Sequence, residues 1–166
     1  MWAMNGIGYH WLVFARINPV AQVFAVVFVL QAVLLIVSPW LFTDFRIFAK
    51  CDMRAVTGAV LMVFAAVLYP IWGYLAGHSY PSAPVFGAAP CPTTIFTIGV
   101  LLIGSWHTSR WLLIIPGVWA AVGGSAAVLL HVPQDTGLIA TLVVLLVSGL
   151  GHSRGLVCYR HHDSAP

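Results

Sequence analysis

Histidine, cysteine and aspartate, three residue types that bind transition metals, occur together in two connections between apolar segments. His78 and Cys91 belong to the connection at 77–92, and His131 and Asp135 belong to the short connection at 131–135. Imidazole, thiolate and carboxylate groups are all established metal ligands. No recognised ligand spacing relates the four, so the fold would have to bring them together. The sequence therefore offers a metal site of His78, Cys91, His131 and Asp135. The alternative is that prolines stiffen the connection and the histidines are ordinary interfacial residues.

A second kind of chemistry is possible at Cys91 alone, which lies between Pro90 and Pro92. Thr93 or Thr94 could cap a helix that begins here. A helix N-terminus stabilises a thiolate and attracts anions. Cys91 is then a reactive thiol or part of an anion-binding turn, and the alternative is a buried structural cysteine. The other two cysteines are distant, and no CxxC pair occurs.

Enzyme motifs do not accompany these residues. The chain has no nucleophile elbow, no HExxH and no phosphate-binding loop. No acidic or basic residue lies in the middle of an apolar segment, where proton relays and ion-coupled transporters place them. Only His10 could titrate there. We therefore expect a non-catalytic protein, and the sequence assigns no cofactor.

The elements that position these side chains follow from the composition, which is 61% hydrophobic and only 7% charged over 166 residues. A soluble domain carries roughly a quarter charged residues. A bilayer core of about 30 Å is crossed by about 20 apolar residues in a helix. Several segments are apolar on every face, unlike the alternating strands of a barrel. We predict an all-α, polytopic transmembrane helical bundle of about six spans, forming a single domain over 1–166. The predicted helices cover 2–17 (the short one), 20–37, 55–75, 93–106, 111–130 and 136–150, with a tight turn at 107–110.

The orientation of the bundle follows from its Lys and Arg residues. Six of the seven lie in the connection at 43–54, the turn at 107–110 and the tail at 151–166, and Arg16 is the exception. Basic residues stay on the cytoplasmic side. We therefore predict that both termini are cytoplasmic, that the proline-rich connection at 77–92 is extracytoplasmic and that 151–166 is a cytoplasmic tail. Tyr69 and neighbouring aromatic residues are expected at the outer membrane interface.

Small residues recur at four-residue spacing in the fifth predicted helix and allow another helix to approach closely. They are Gly117, Ala120, Ala121, Gly124 and Ser125. The contact could lie within the chain or with another subunit, and we favour the internal contact because a six-helix bundle needs internal interfaces.

Several stretches resemble an uncharacterised family of bacterial multi-pass membrane proteins. The main similarity is the pattern YP…GH.YP..P.FG..PCPTTIFT, which begins at Tyr69-Pro70 and ends at Thr97. Three shorter stretches are also similar: the turn Ile17-Asn18-Pro19, the run at 123–127 and the Pro-x-Asp turn at 133–135. It covers most of residues 9–150. The resemblance implies a helical membrane protein of the bacterial cytoplasmic (inner) membrane and implies no established activity.

The function that these observations favour is a non-catalytic accessory subunit that packs against other membrane-protein subunits within the lipid bilayer. The alternatives are a carrier of small solutes or metal ions that uses the outer face, and a membrane redox protein. The seven basic residues are dispersed, so no nucleic-acid partner is predicted.

Overall fold

The computed structural model describes residues 1–42, 52–77, 86–129 and 132–158. Within these ranges the chain forms seven helices and no β-strand, which confirms the all-α prediction. The helices are α1 (residues 2–16), α2 (Ala21–Leu41), α3 (Met53–Leu75), α4 (Pro90–Ile103), α5 (Trp106–Leu112), α6 (Ile114–Leu129) and α7 (Gly137–Cys158). A 3₁₀ turn, Pro133–Thr136, precedes α7.

Two of these helices contain π-helical stretches. In α1, an α-helical turn at Trp2–Met4 leads into π-helix at Asn5–Val13 and a 3₁₀ turn at Phe14–Arg16. In α3, the stretch Phe64–Leu68 is π-helical. Such stretches shift the side chains that follow and are frequent at functional sites.

The short apolar helix α4 lies at the centre of the fold. It contacts α3, α6 and α7, and the side chains of Ile95 and Ile98 are fully buried. A helix that is apolar on all faces is covered on all sides, and the α4 sequence PCPTTIFTIGVLLI meets that description. The core of the protein is therefore built around α4.

The closest helix crossing joins α3 and α4 at two glycines. A Cβ atom added to Gly58 would lie 2.5 Å from the carbonyl oxygen of Gly99, and a Cβ on Gly99 would lie 2.6 Å from the carbonyl oxygen of Gly58. Both clashes are with backbone, which cannot rotate away. Only glycine fits at this crossing, and the sequence reasoning did not identify this pair.

Helix α1 is attached to α4 by two hydrogen bonds between side chains. Trp2 Nε1 donates to Thr97 Oγ1 at 2.9 Å, and Asn5 Nδ2 donates to Thr93 Oγ1 at 3.0 Å. Polar side chains in apolar helices are commonly satisfied across helix interfaces in this way. Thr93 therefore lies inside α4 and does not cap it, because the helix begins at Pro90.

The bend between α5 and α6 replaces the predicted tight turn at 107–110. Residues 106–112 are helical, and the two helices meet at 49°. Pro116 has no N–H for the carbonyl oxygen of Leu112, four residues earlier. Gln31 of α2 replaces the missing donor, because its Nε2 donates a hydrogen bond to the Leu112 oxygen at 3.0 Å.

Two described helices, α2 and α3, are long and apolar enough to cross a membrane, and α5 with α6 makes a third if the bent pair is one span. The predicted count of about six is not reached. Helix α4 has 14 residues, and at about 1.5 Å per residue it is about 21 Å long, short of the roughly 30 Å of a bilayer core. The apolar part of α7, Gly137–Gly149, is also short.

Candidate functional site

The four residues of the predicted metal site are only partly described. His78 and His131 lie outside the described residues. Cys91 is in the first turn of α4 and Asp135 is in the 3₁₀ turn, and the structure places the thiol next to the carboxylate. Among the residues that the structure describes, no three or more His, Cys, Asp or Glu side chains converge as a metal site would require. The metal site stays a prediction.

Tyr69 completes this polar group from α3. Its hydroxyl donates a hydrogen bond to Asp135 Oδ1, and the Cys91 thiol lies next to both side chains. Tyr69 directly follows the π-helical stretch of α3 and is 1% exposed. Tyr69 therefore faces the interior of the helix bundle, where its hydroxyl is paired with Asp135, and its expected position at the membrane interface stays a prediction.

A cavity of about 450 Å³ adjoins this group, between α1, the start of α2, the start of α4 and the end of α6. We call it the His10 cavity. Its chemically distinctive lining residues are Tyr9, His10, Phe24, Cys91, Trp119 and Asp135. Ligand sites are commonly apolar clefts of about 300–1,000 Å³ with a few polar groups. The cavity has this composition and size.

Two buried polar side chains, those of His10 and Trp119, belong to the wall of the His10 cavity. His10 is 1% exposed, and neither Nδ1 nor Nε2 is paired. Trp119 Nε1 is also buried, and its N–H interacts with the neighbouring Cys91 sulfur. A buried polar group without a partner costs about 1–3 kcal/mol. The unpaired His10 nitrogens lie within the packed wall and have almost no accessible surface.

Aromatic rings hold His10 in position. The His10 ring meets the ring of Trp119 edge-on at a centroid distance of 5.0 Å and that of Phe28 at 4.7 Å. Phe24 meets Trp119 at 5.1 Å. Edge-to-face contacts at these distances are favourable. Helices α1 and α2 are in contact here, and the His10 ring is enclosed between them and Trp119.

The small residues of α6 divide between two faces. Ala120 and Gly124 are buried, and Gly117 is partly buried; Cβ atoms on the two glycines would lie 3.2 Å and 2.8 Å from side chains of α7. Ala121 and Ser125 are exposed. The predicted stripe thus has an inner part that contacts α7 and an outer part, Ala121 and Ser125, that is exposed.

Sequence reasoning noticed His10 as the one titratable residue in an apolar segment but did not connect it with Trp119. No local signal marks Trp119, since an indole in an apolar helix is ordinary. The two residues are 109 positions apart in the chain, as their numbers show, and only the packing of α1 on α6 brings them together.

These features define an all-α protein with helices of membrane-spanning length and a partly polar cavity at one end of the bundle. The chain belongs to DUF6064, a family of unknown function, whose sequence profile matches residues 1–156. Comparisons with curated proteins and with solved structures gave no significant match.

Proposed function

We propose that this chain is a multi-pass protein of the bacterial inner membrane and acts as a non-catalytic subunit that packs against another membrane protein. The connection at 43–54 and the tail at 151–166 lie on the cytoplasmic side, and the connection at 77–92 lies outside. In this arrangement α4 lies within the membrane together with the helices around it. Because α3, α6 and α7 cover α4, its length need not match the thickness of the lipid.

The apolar outer surface supports the membrane part of the proposal. Large hydrophobic side chains are exposed along the lengths of the helices, among them Val23 and Ile36 on α2, Val60 on α3, Leu129 on α6 and Leu146 on α7. Soluble monomers rarely expose apolar patches beyond a few hundred Å². Lipid tails would cover this surface without cost.

The outer face of α6 is the observation that carries the subunit part. Ala121 and Ser125 are exposed one turn apart, and the Ser125 hydroxyl donates to the Val122 carbonyl oxygen of its own helix at 2.7 Å. Small residues on an outward face let a second helix approach closely in lipid. We expect one transmembrane helix of a partner subunit to pack there.

Photo-cross-linking in native membranes tests this contact. A photoreactive amino acid at Ala121 should give a covalent adduct with a different membrane protein, identified by mass spectrometry. The same amino acid at Val26, which is exposed on α2, is the matched control and should label lipid. Ala121→Leu should reduce recovery of the partner at least several-fold without changing the yield of the chain. Equal labelling at the two positions, or an adduct with a second copy of this chain, would contradict the subunit proposal.

The orientation is tested separately with a membrane-impermeant thiol reagent on intact cells. A cysteine placed at Ser82, in the connection at 77–92, should be labelled from outside. Native Cys51 and Cys158 should be labelled only after the cells are opened. Labelling of Cys51 from outside would reverse the orientation.

A second candidate function, a metal-ion carrier, is favoured by one observation, the adjacency of Cys91 and Asp135. Elemental analysis of the purified chain should then show a bound transition metal that is lost in Cys91→Ser and in His78→Ala. Metal content that is unchanged by both substitutions would remove this candidate.

A further inference from the structure

A groove on the outer surface of the bundle lies where α5 and α6 meet opposite α7. Its volume is about 340 Å³. Its walls are apolar side chains from the bend and from α7, among them Leu113, Ile114, Leu145 and Leu146. Ile114 and Leu146 are themselves 53% and 58% exposed, so the groove is open to the surroundings of the bundle. We call it the α5–α7 groove.

One end of the α5–α7 groove is basic. Trp106 and Arg110, one helical turn apart on α5, line it there together with Gly149 of α7. The Trp106 ring is in contact with the guanidinium of Arg54, which belongs to the connection at 43–54. On the membrane topology proposed above, on which this inference rests, the basic end therefore lies at the cytoplasmic surface of the membrane. The apolar part of the groove then extends into the lipid.

The two arginines at this end differ in their surroundings. Arg54 donates to the carbonyl oxygen of Leu102 at 3.4 Å, and its guanidinium lies 4.4 Å from the centre of the Trp106 ring. Arg54 is thus engaged within the protein. Arg110 is exposed, and its guanidinium lies 5.3 Å from the centre of the neighbouring Trp111 ring. A cation on an exposed indole remains accessible to an anion.

The two carboxylates of the described residues are engaged away from Arg110. Asp52 accepts the capping hydrogen bond at the start of α3, and Asp135 accepts a hydrogen bond from Tyr69. The α5–α7 groove therefore combines a positive charge that the described chain does not neutralise with an apolar surface beside it. A ligand that complements both has an anionic group joined to an apolar chain.

An anionic phospholipid has both parts. The guanidinium fork donates parallel hydrogen bonds to phosphate oxygens. The cytoplasmic leaflet carries anionic lipids, and basic pockets between transmembrane helices on that side bind their headgroups. Indole rings such as those of Trp106 and Trp111 favour the same level of the membrane. We propose that the α5–α7 groove binds one anionic phospholipid, with its phosphate on Arg110 and one acyl chain along the apolar walls.

The competing occupant is a transmembrane helix of a partner subunit. Close packing of two helices in lipid needs small residues at the contact. The walls of the α5–α7 groove are instead formed by large side chains such as Ile114, Leu145 and Leu146. A flexible acyl chain adapts to such walls, whereas a rigid helix is held away from them. The observations therefore favour the lipid.

Native mass spectrometry of the purified full chain tests the proposal. The chain is released from detergent micelles after titration with dioleoylphosphatidylglycerol or with dioleoylphosphatidylcholine, which have the same acyl chains and differ in headgroup charge. We expect the first phosphatidylglycerol to bind about fivefold more tightly than phosphatidylcholine. This ratio corresponds to about 1 kcal/mol, the contribution of one basic side chain near an anionic lipid surface.

Two kinds of variant locate the bound lipid. Arg110→Gln should abolish the preference for phosphatidylglycerol, and Arg110→Lys, which keeps the charge, should retain most of it. Arg16→Gln makes the same change at another exposed arginine and should bind like the native chain. Leu146→Trp fills the apolar part of the groove and should weaken phosphatidylglycerol binding several-fold. Val147→Trp, on an exposed α7 residue outside the lining, is its matched control and should have no effect.

Four results would overturn the proposal. Equal affinity for the two lipids would show that the groove has no preference for an anion. A native-like preference in Arg110→Gln would place the lipid elsewhere, and an equal loss in Arg16→Gln would reduce the effect to net charge. A photoreactive amino acid at Leu146 that captures a protein in native membranes would assign the groove to a partner subunit.

The membrane proposal fails in a different way from this one. A chain that stays monodisperse in water without detergent and retains neither lipid would contradict the membrane topology as well. A chain that needs detergent and binds the two lipids equally would contradict the anionic lipid site alone.

Discussion

Replacing Gln31 by leucine tests how the bend between α5 and α6 is stabilised. Pro116 leaves the Leu112 carbonyl oxygen without its helical donor, and Gln31 Nε2 donates to that oxygen at 3.0 Å from another helix. Gln31 is fully buried, so water cannot take its place. In Gln31→Leu the carbonyl oxygen has no partner.

The expected cost is worked from the two groups involved. A buried carbonyl left unpaired costs about 1–3 kcal/mol, whereas measured side-chain hydrogen bonds in membrane proteins average about 0.6 and reach about 1.7 kcal/mol. The Gln31 Oε1 atom is itself unpaired, and its removal offsets part of the loss. We expect Gln31→Leu to lower the free energy of unfolding by about 1 kcal/mol in the native background.

A double-mutant cycle with Pro116→Ala separates the lost hydrogen bond from the effect of removing the unpaired Gln31 Oε1 atom. Alanine at this position restores an N–H for the Leu112 oxygen, so Gln31→Leu should then be neutral or stabilising. The coupling between the two sites should be about 1–2 kcal/mol. Unfolding is measured by titration with a denaturing detergent in mixed micelles, with exposed Gln22→Leu as the matched control. A coupling below about 0.5 kcal/mol would refute the idea that Gln31 compensates for the proline.

Three further substitutions test other contacts. Gly58→Ala should be less stable than the matched variant Gly149→Ala by about 1–3 kcal/mol. The alanine Cβ at position 58 would lie 2.5 Å from backbone, whereas the one at 149 meets no backbone, and the helix propensity of alanine is common to both variants. Equal unfolding curves would contradict the close crossing. Asp52→Ala removes the carboxylate that caps α3 through a 2.8 Å hydrogen bond, and should cost about 1 kcal/mol; unchanged amide exchange in the first turn would exclude the cap. Arg54→Gln removes a guanidinium 4.4 Å above the ring of Trp106 and should cost about 0.5–2 kcal/mol; Arg54→Lys, which keeps the charge, should recover part of it in the same thermal assay.

The helices were largely predictable from the sequence. Long apolar runs require α2 and α3, and their observed bounds agree with the predicted ones within a few residues. The helix at 106–112 was missed, because a short polar stretch with His and Arg looks like a turn when the surrounding helices are unknown. The predicted count of about six spans exceeds the two or three helices that are long and apolar enough. Apolar composition by itself does not distinguish a short helix covered by protein, such as α4, from a full-length helix that faces lipid.

The candidate site was predictable only in its components. Cys91 and Asp135 were placed on one face by topology, and the structure does bring them together. Tyr69 was assigned to the interface because aromatic residues at helix ends usually lie there. Its partner, Asp135, comes from a turn 66 residues later, and no local pattern encodes that pairing.

The sequence by itself determined that this protein is helical and apolar, because composition and the run lengths of apolar residues are local properties that each segment carries independently. The tertiary structure alone decided which side chains meet. The crossing of Gly58 and Gly99, the donation from Gln31 to the Leu112 oxygen and the cavity between His10 and Trp119 all depend on how helices distant in the chain pack together. Such contacts arise from shape and from the need to pair buried polar atoms, and neither can be read from one segment at a time.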